Sequence, residues 1–178
     1  MKKFKILIDI LLFIVTVLLF DIELIGNLNH EILGITIAVL IIIHLILNFK
    51  WIKQVTKNLK KTKLKTKIMY VIDIFTMLIY LGAITCGILI SDKIFNFHMS
   101  SNLPLMLAHL ILGRLAITIM LVHLGVHLDR IFAKIKNKKI KIVIYVVYVI
   151  ITILVAIYFT YTLTHSFQWL YMFGKNNW

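Results

Sequence analysis

Four histidines repeat one spacing in two apolar segments. The two copies of this His-x3-Gly-x9-His pattern consist of His30, Gly34 and His44, and of His109, Gly113 and His123. Fourteen helical residues rise about 21 Å and complete about four turns in a left-handed bundle, so the two histidines of a copy share one helix face. If the two helices run parallel, His30 is level with His109 and His44 is level with His123. Two imidazoles at one level are the axial ligands that six-coordinate haem iron takes.

The two glycines of the pattern have a steric role in this interpretation. Gly34 and Gly113 lie one turn from the outer histidines and on the same face, so a flat macrocycle could lie close to the backbone there. The lone cysteine, Cys86, belongs to no Cys-x2-Cys-His motif, which excludes c-type attachment. The sequence therefore predicts two non-covalent haem b groups, with the four histidines as the iron ligands.

Three polar residues near these histidines are candidate cofactor contacts. Asn48 could donate to a haem propionate or a quinone carbonyl, or simply bond a neighbouring group. Arg114 needs a partner within the membrane, either a propionate or polar groups of another span. His127 lies one turn beyond His123 and is a rival inner ligand, or a contact for a propionate, a quinone or an additional cofactor. We prefer His123 as the ligand, because its spacing repeats that of the other copy.

The composition predicts an integral membrane protein. The 178 residues are 61% hydrophobic, with a mean hydropathy of +0.98, far beyond a soluble domain. Five apolar runs reach spanning length, at about 4–26, 30–51, 68–91, 106–128 and 141–164. Continuous runs exclude the alternating pattern of a barrel. We expect one all-α membrane domain over 1–178, a bundle of five transmembrane helices with a four-helix haem-binding core.

The basic residues are distributed by topology. The net charge is +13, and the cations lie before the first run, between the second and third, and between the fourth and fifth. The other connections carry only Lys93 and, in the tail, Lys175. This is the positive-inside pattern of an N-in, C-out protein, in which the second and fourth spans run parallel. It predicts contact with anionic membrane lipids and no nucleic-acid partner. Asp9, near the inner end of the first span, is expected to pair with lysine or backbone.

The two His patterns, read with their neighbours, resemble a known family. The segments are His30-Glu31-x2-Gly34-x9-His44-x3-Asn48-x2-Trp51 and His109-x3-Gly113-x9-His123-Leu124-Gly125-x-His127. They resemble the flavinylation-associated cytochromes, small bacterial membrane domains related to two-haem b-type cytochromes, over about residues 5–130. The resemblance implies bis-His haem b and electron transport across the bacterial cytoplasmic membrane. It also implies an electron-transfer subunit, rather than a stand-alone enzyme, that works beside a separate extracytoplasmic flavin-carrying redox protein.

Two other functions remain open from the residues alone. A transporter or binding protein for zinc or copper could use His123, His127 and other inward histidines, and its ligands would cluster at one depth. A haem-free structural membrane subunit would use its histidines only for hydrogen bonds between helices. The position of the four histidines at two depths argues against the zinc or copper site, and their paired spacing favours haem over both alternatives.

Overall fold

Segments that are apolar throughout favour helices, because in lipid each backbone N–H and C=O must be satisfied within its own segment. The computed structural model describes the backbone of residues 2–20, 22–133 and 135–175, and the side chains of 3–20, 22, 24–129, 131–133 and 135–164. Over these ranges the regular structure is entirely helical. The helices are α1 (Lys2–Leu18), α2 (Ile22–Ile25), α3 (Asn27–Lys57), α4 (Leu64–Leu89), α5 (Leu103–Ile131) and α6 (Lys138–Lys175). The predicted all-α class is confirmed for this part of the chain.

Four of the helices are long and apolar enough to cross a membrane. These stretches are Asn27–Lys57, Leu64–Leu89, Leu103–Asp129 and Lys138–Thr164. They coincide, within a few residues at each end, with the second to fifth apolar runs of the sequence. Few of their side chains are buried and many large apolar ones are exposed, as expected where lipid rather than protein covers them. These features are those of a multi-pass membrane protein.

The first apolar run differs from its prediction. A continuous helix over 4–26 was expected, but α1 ends at Leu18 and has 17 residues, about 26 Å of helix against a hydrocarbon core of about 30 Å. A single turn, α2, follows. Gly26 then has a φ of 77°, a left-handed conformation that glycine adopts readily, and it redirects the chain into α3.

A polar cap followed by proline marks the start of α5. Asn102 precedes the helix, and its side-chain oxygen accepts a hydrogen bond from the N–H of Leu105 at 3.1 Å. Pro104 lies in the first turn, where its missing N–H leaves no helical bond unmade. The cap thus fixes the register of the helix that carries His109.

The chain divides into two compact units, Met1–Ile117 and Thr118–Trp178. In the first unit, α3 packs against both α1 and α4. The hydroxyl groups of Thr16 and Tyr80, both buried, lie 2.9 Å apart and join α1 to α4.

The second unit contains the end of α5 and the whole of α6. There the hydroxyl of Tyr148 donates to the carbonyl of Leu121, and that of Tyr145 donates to Asp129. The Tyr148 ring also packs against Gly125, where a Cβ atom would lie 3.0 Å from its Cε1. These contacts hold α6 against the end of α5.

Candidate functional site

Two of the predicted ligands lie side by side in the first unit. His30 is in the first turns of α3, His109 is in the first turns of α5, and their ring centroids are 5.9 Å apart with an interplanar angle of 82°. Two imidazoles that bind one metal ion from opposite sides have ring centres about 6 Å apart, given metal–nitrogen bonds of about 2.0–2.1 Å. The observed separation is therefore compatible with a shared metal ion.

The ring of His109 is held by α4. Its Nδ1 lies 2.9 Å from the carbonyl oxygen of Ala83. A carbonyl oxygen can only accept a hydrogen bond, so Nδ1 carries the hydrogen. In the neutral ring, Nε2 then keeps its lone pair, which is free to bind a metal ion. One turn further along α4 is Gly87, where a Cβ atom would lie 2.8 Å from the Cε1 of His109. Metal-bound histidines are commonly oriented by such a hydrogen bond from the second ring nitrogen.

The opposite imidazole, His30, has an unsatisfied nitrogen. Its Nδ1 is buried and has no hydrogen-bond partner among the described residues. A buried polar atom without a partner costs about 1–3 kcal/mol and calls for an explanation. Since the ring also has a hydrogen bond with the backbone of Leu19, Nδ1 is the nitrogen left for a partner other than protein.

The two pattern glycines border space that protein does not fill. A Cβ atom built at Gly34 or at Gly113 would have no other residue within 4 Å, apart from its chain neighbours and the local helix backbone. Both glycines lie one helical turn from a histidine of the facing pair. Three observations therefore fit a flat macrocycle between α3 and α5. They are the spacing of the His30 and His109 rings, the unpartnered Nδ1 of His30 and the open space beside Gly34 and Gly113.

His44 has a polar environment built partly from α1. Its Nδ1 lies 2.8 Å from the Oδ1 of Asp9, and its Nε2 is 3.3 Å from the side-chain nitrogen of Asn48. The same Asn48 nitrogen donates to the carbonyl of His44 at 2.9 Å, and Lys5 donates to Asn48 Oδ1 at 3.3 Å. The expectation that Asp9 pairs with lysine or backbone was wrong, since its carboxylate bonds an imidazole on the neighbouring helix. For Asn48, the structure shows the neighbour-bonding alternative.

The remaining candidates are placed as follows. His44 belongs to the first unit and His123 to the second, and their pairing stays a prediction. In the second unit, the rings of His123 and His127 are 4.7 Å apart at an angle of 59°. Arg114 lies half-buried on α5 within the first unit, and its contact with a cofactor likewise stays a prediction.

A carboxylate beside His30 has a role that the sequence did not suggest. Glu31 accepts a hydrogen bond from the hydroxyl of Ser91 at 2.7 Å. It also accepts from the backbone N–H groups of Asp92, Lys93 and Ile94, at distances between 2.9 and 3.2 Å. Successive backbone N–H groups form a concave anion site, and here the protein's own carboxylate fills it. The segment after α4 is thereby fixed to the start of α3.

The chain matches no protein-family model, no curated protein and no solved structure. The functional argument therefore depends on the residues and their geometry. Chemically, the paired imidazoles offer metal ligation, while the Asp9–His44 contact offers a ligand with an anionic partner.

Proposed function

We propose that this chain is a dihaem b-type membrane cytochrome that transfers electrons across the cytoplasmic membrane. Its exchange partner outside would be an extracytoplasmic flavin-carrying protein. The observation that carries the proposal is the 5.9 Å approach of the His30 and His109 rings on helices that repeat one His-x3-Gly-x9-His pattern. His30 and His109 would hold the outer haem, and His44 and His123 would hold the inner one. When bound, each haem supplies a one-electron Fe(III)/Fe(II) couple.

The protein's own contribution is ligation, orientation and a dry surrounding. The Ala83 carbonyl orients His109, and Asp9 orients His44. Gly34 and Gly113 leave room for the macrocycle of the outer haem. Beyond these, we assign Arg114 to a haem propionate.

His127 is the other residue with a proposed cofactor contact. We assign it to a propionate or to a quinone at the inner face. A quinone would be a mobile donor or acceptor there, in addition to the two resident haems.

The proposal includes five spans with the N-terminus inside, α1 being the first. It rests on the basic residues that alternate between connections along the chain. Single cysteines at Lys57 and Lys93, introduced in a Cys86→Ala background, test the orientation with a membrane-impermeant thiol reagent on intact cells. We expect labelling at position 93 only, and labelling at position 57 would reverse the assignment.

The central test is optical. Purified protein from haem-replete cells should show a b-type spectrum on dithionite reduction and contain about two haems per chain. His30→Ala and His109→Ala should each lose one haem. His98→Ala, which alters a histidine of the loop before α5, should keep both. A folded, colourless wild-type preparation would refute the proposal.

A second candidate is a zinc or copper transporter or binding protein, favoured by the 4.7 Å approach of His123 and His127. These two rings supply half of the four ligands that a structural zinc site takes. Elemental analysis of the same preparation separates the candidates, because this one requires bound zinc or copper without a haem absorption band. A preparation with neither would favour a haem-free structural subunit.

A further inference from the structure

The segment between α4 and α5 exposes an apolar surface. Four large apolar side chains within residues 90–102 are exposed, namely those of Ile94, Phe95, Phe97 and Met99. The rings of Phe95 and Phe97 are stacked, with centroids 6.1 Å apart and an interplanar angle of 6°, yet the two residues remain 41% and 51% exposed. Grouped apolar side chains on a surface mark a contact with protein or with membrane.

The backbone of the same segment is satisfied from within the protein. Glu31, on α3, accepts hydrogen bonds from three consecutive N–H groups, those of residues 92–94. The next N–H group, that of Phe95, donates to the hydroxyl oxygen of Ser91 at 3.2 Å, and this hydroxyl in turn donates to Glu31. A backbone donor that leaves water without a partner costs free energy, and these bonds remove that cost for four consecutive residues.

The position of the segment in the fold brings it to the membrane surface. It begins at the end of α4 and ends at the start of α5, and both helices are long and apolar enough to cross a membrane. Glu31 also ties residues 92–94 to the first turns of α3, a third helix of spanning length. The segment is therefore held beside the ends of three spans, where the membrane interface lies.

The charges of the segment favour lipid over a protein partner as the occupant. Apart from His98, its acidic and basic residues are Asp92 and Lys93, neighbours whose charges cancel. Complementary patches of charge guide protein partners to each other, and this stretch of sequence carries no such patch. An apolar surface beside spanning helices instead resembles the apolar face of an interfacial segment, which lies about 5–10 Å into the boundary between headgroups and acyl chains.

We infer that residues 94–99 insert their apolar side chains into the lipid interface at the His30 end of the protein. In the proposed N-in orientation this is the outer leaflet. The stacking of Phe95 on Phe97 and the bonds to Glu31 hold the segment in shape, so contact with lipid requires little further ordering. Since Glu31 follows His30 in α3, the inserted side chains also anchor that end of the helix at a fixed depth. This contact with lipid is independent of haem binding.

The test places a nitroxide label in the segment and measures what surrounds it. Phe97→Cys in a Cys86→Ala background is labelled, and the purified protein is reconstituted into vesicles of phosphatidylcholine and phosphatidylglycerol. Electron paramagnetic resonance then gives the collision rates with oxygen, which concentrates in lipid, and with a nickel chelate, which stays in water. Lys93→Cys in the same background is the matched control, an exposed charged position of the same segment. We expect the nickel collision rate to be several-fold lower at position 97 than at position 93, and the oxygen rate to be higher.

A second label position keeps the inference testable if Phe97→Cys does not fold. Met99→Cys repeats the measurement with the Phe95–Phe97 ring pair intact. Equal nickel rates at the apolar and control positions would show that water covers this surface and would overturn the inference in favour of a soluble partner. Low rates for both nickel and oxygen would show that protein, such as a second copy of the chain, covers it, and would overturn the inference as well. The haem content of the same preparations reports separately on the proposed function.

Discussion

The ring of His109 lies directly against the backbone of α4 at Gly87, where a Cβ atom would come within 2.8 Å of the ring's Cε1. The bond from Nδ1 to Ala83, one turn earlier on α4, holds the ring in that position. The ring therefore has little freedom to move aside. The orientation of this candidate ligand is a property of two helices rather than of α5 alone.

Gly87→Ala should displace His109. We expect loss of the haem that His109 would hold and an overpacking cost of about 1–3 kcal/mol in the free energy of unfolding. Gly82→Ala is the matched control, since its Cβ atom would lie 3.0 Å from Cδ1 of Leu112, the end of a flexible side chain. Haem content and denaturation in detergent measure both effects. Equal haem content in the two variants would contradict this account of Gly87.

A large side chain at Gly34 or Gly113 should separate haem binding from folding. Gly34→Leu and Gly113→Leu meet no other residue within 4 Å of the new Cβ atom, and leucine favours a helix over glycine by about 0.5–1 kcal/mol. We therefore expect lower haem content with unchanged or raised stability of the haem-free protein. Haem per chain and thermal denaturation of protein made without haem are the two measurements. A full haem complement in both variants would show that no macrocycle lies beside these glycines.

The sequence predicted the helical class because each long helix carries its own evidence, a continuous apolar run with polar ends. It also singled out His30 and His109, which the structure places together, because their pattern is repeated within the chain. The sequence did not predict that α1 ends at Leu18. Apolar residues lie on both sides of Asp21 and Glu23, so the whole stretch was interpreted as one spanning run.

The contacts that the sequence missed join segments far apart in the chain. Asp9 is 35 residues from His44, and Glu31 is 60 residues from Ser91. No local spacing encodes such pairs. For Gly87 a signal did exist, because small residues at 82, 83 and 87 of one apolar helix indicate a close approach by another helix.

Glu31→Ala should release the segment that follows α4. Without the carboxylate, the N–H groups of Asp92, Lys93 and Ile94 lose their acceptor, and we expect their amide hydrogen exchange to become at least several-fold faster. Asp92→Ala is the control, because it removes a carboxylate from the same segment but leaves the backbone N–H that Glu31 binds. Exchange followed by mass spectrometry on peptides covering 90–102 measures the change. Similar protection in both variants would mean that Glu31 does not fix this segment.

The buried hydroxyl pair of Thr16 and Tyr80 should respond unequally to loss of either partner. Tyr80→Phe leaves the Thr16 hydroxyl bonded to the carbonyl of Leu12 at 2.8 Å. We therefore expect the free energy of unfolding to fall by about 0.6 kcal/mol, the average value of a hydrogen bond between membrane helices. Thr16→Val instead leaves the Tyr80 hydroxyl buried without this partner, which costs about 1–3 kcal/mol.

Unfolding of both single variants and the double variant in detergent gives the coupling energy between α1 and α4. Once Tyr80 has become Phe, Thr16→Val should cost less than in the wild-type protein, because no hydroxyl is then left stranded. Equal costs for the two single variants, or strict additivity in the double variant, would indicate that this hydrogen bond does not hold α1 against α4.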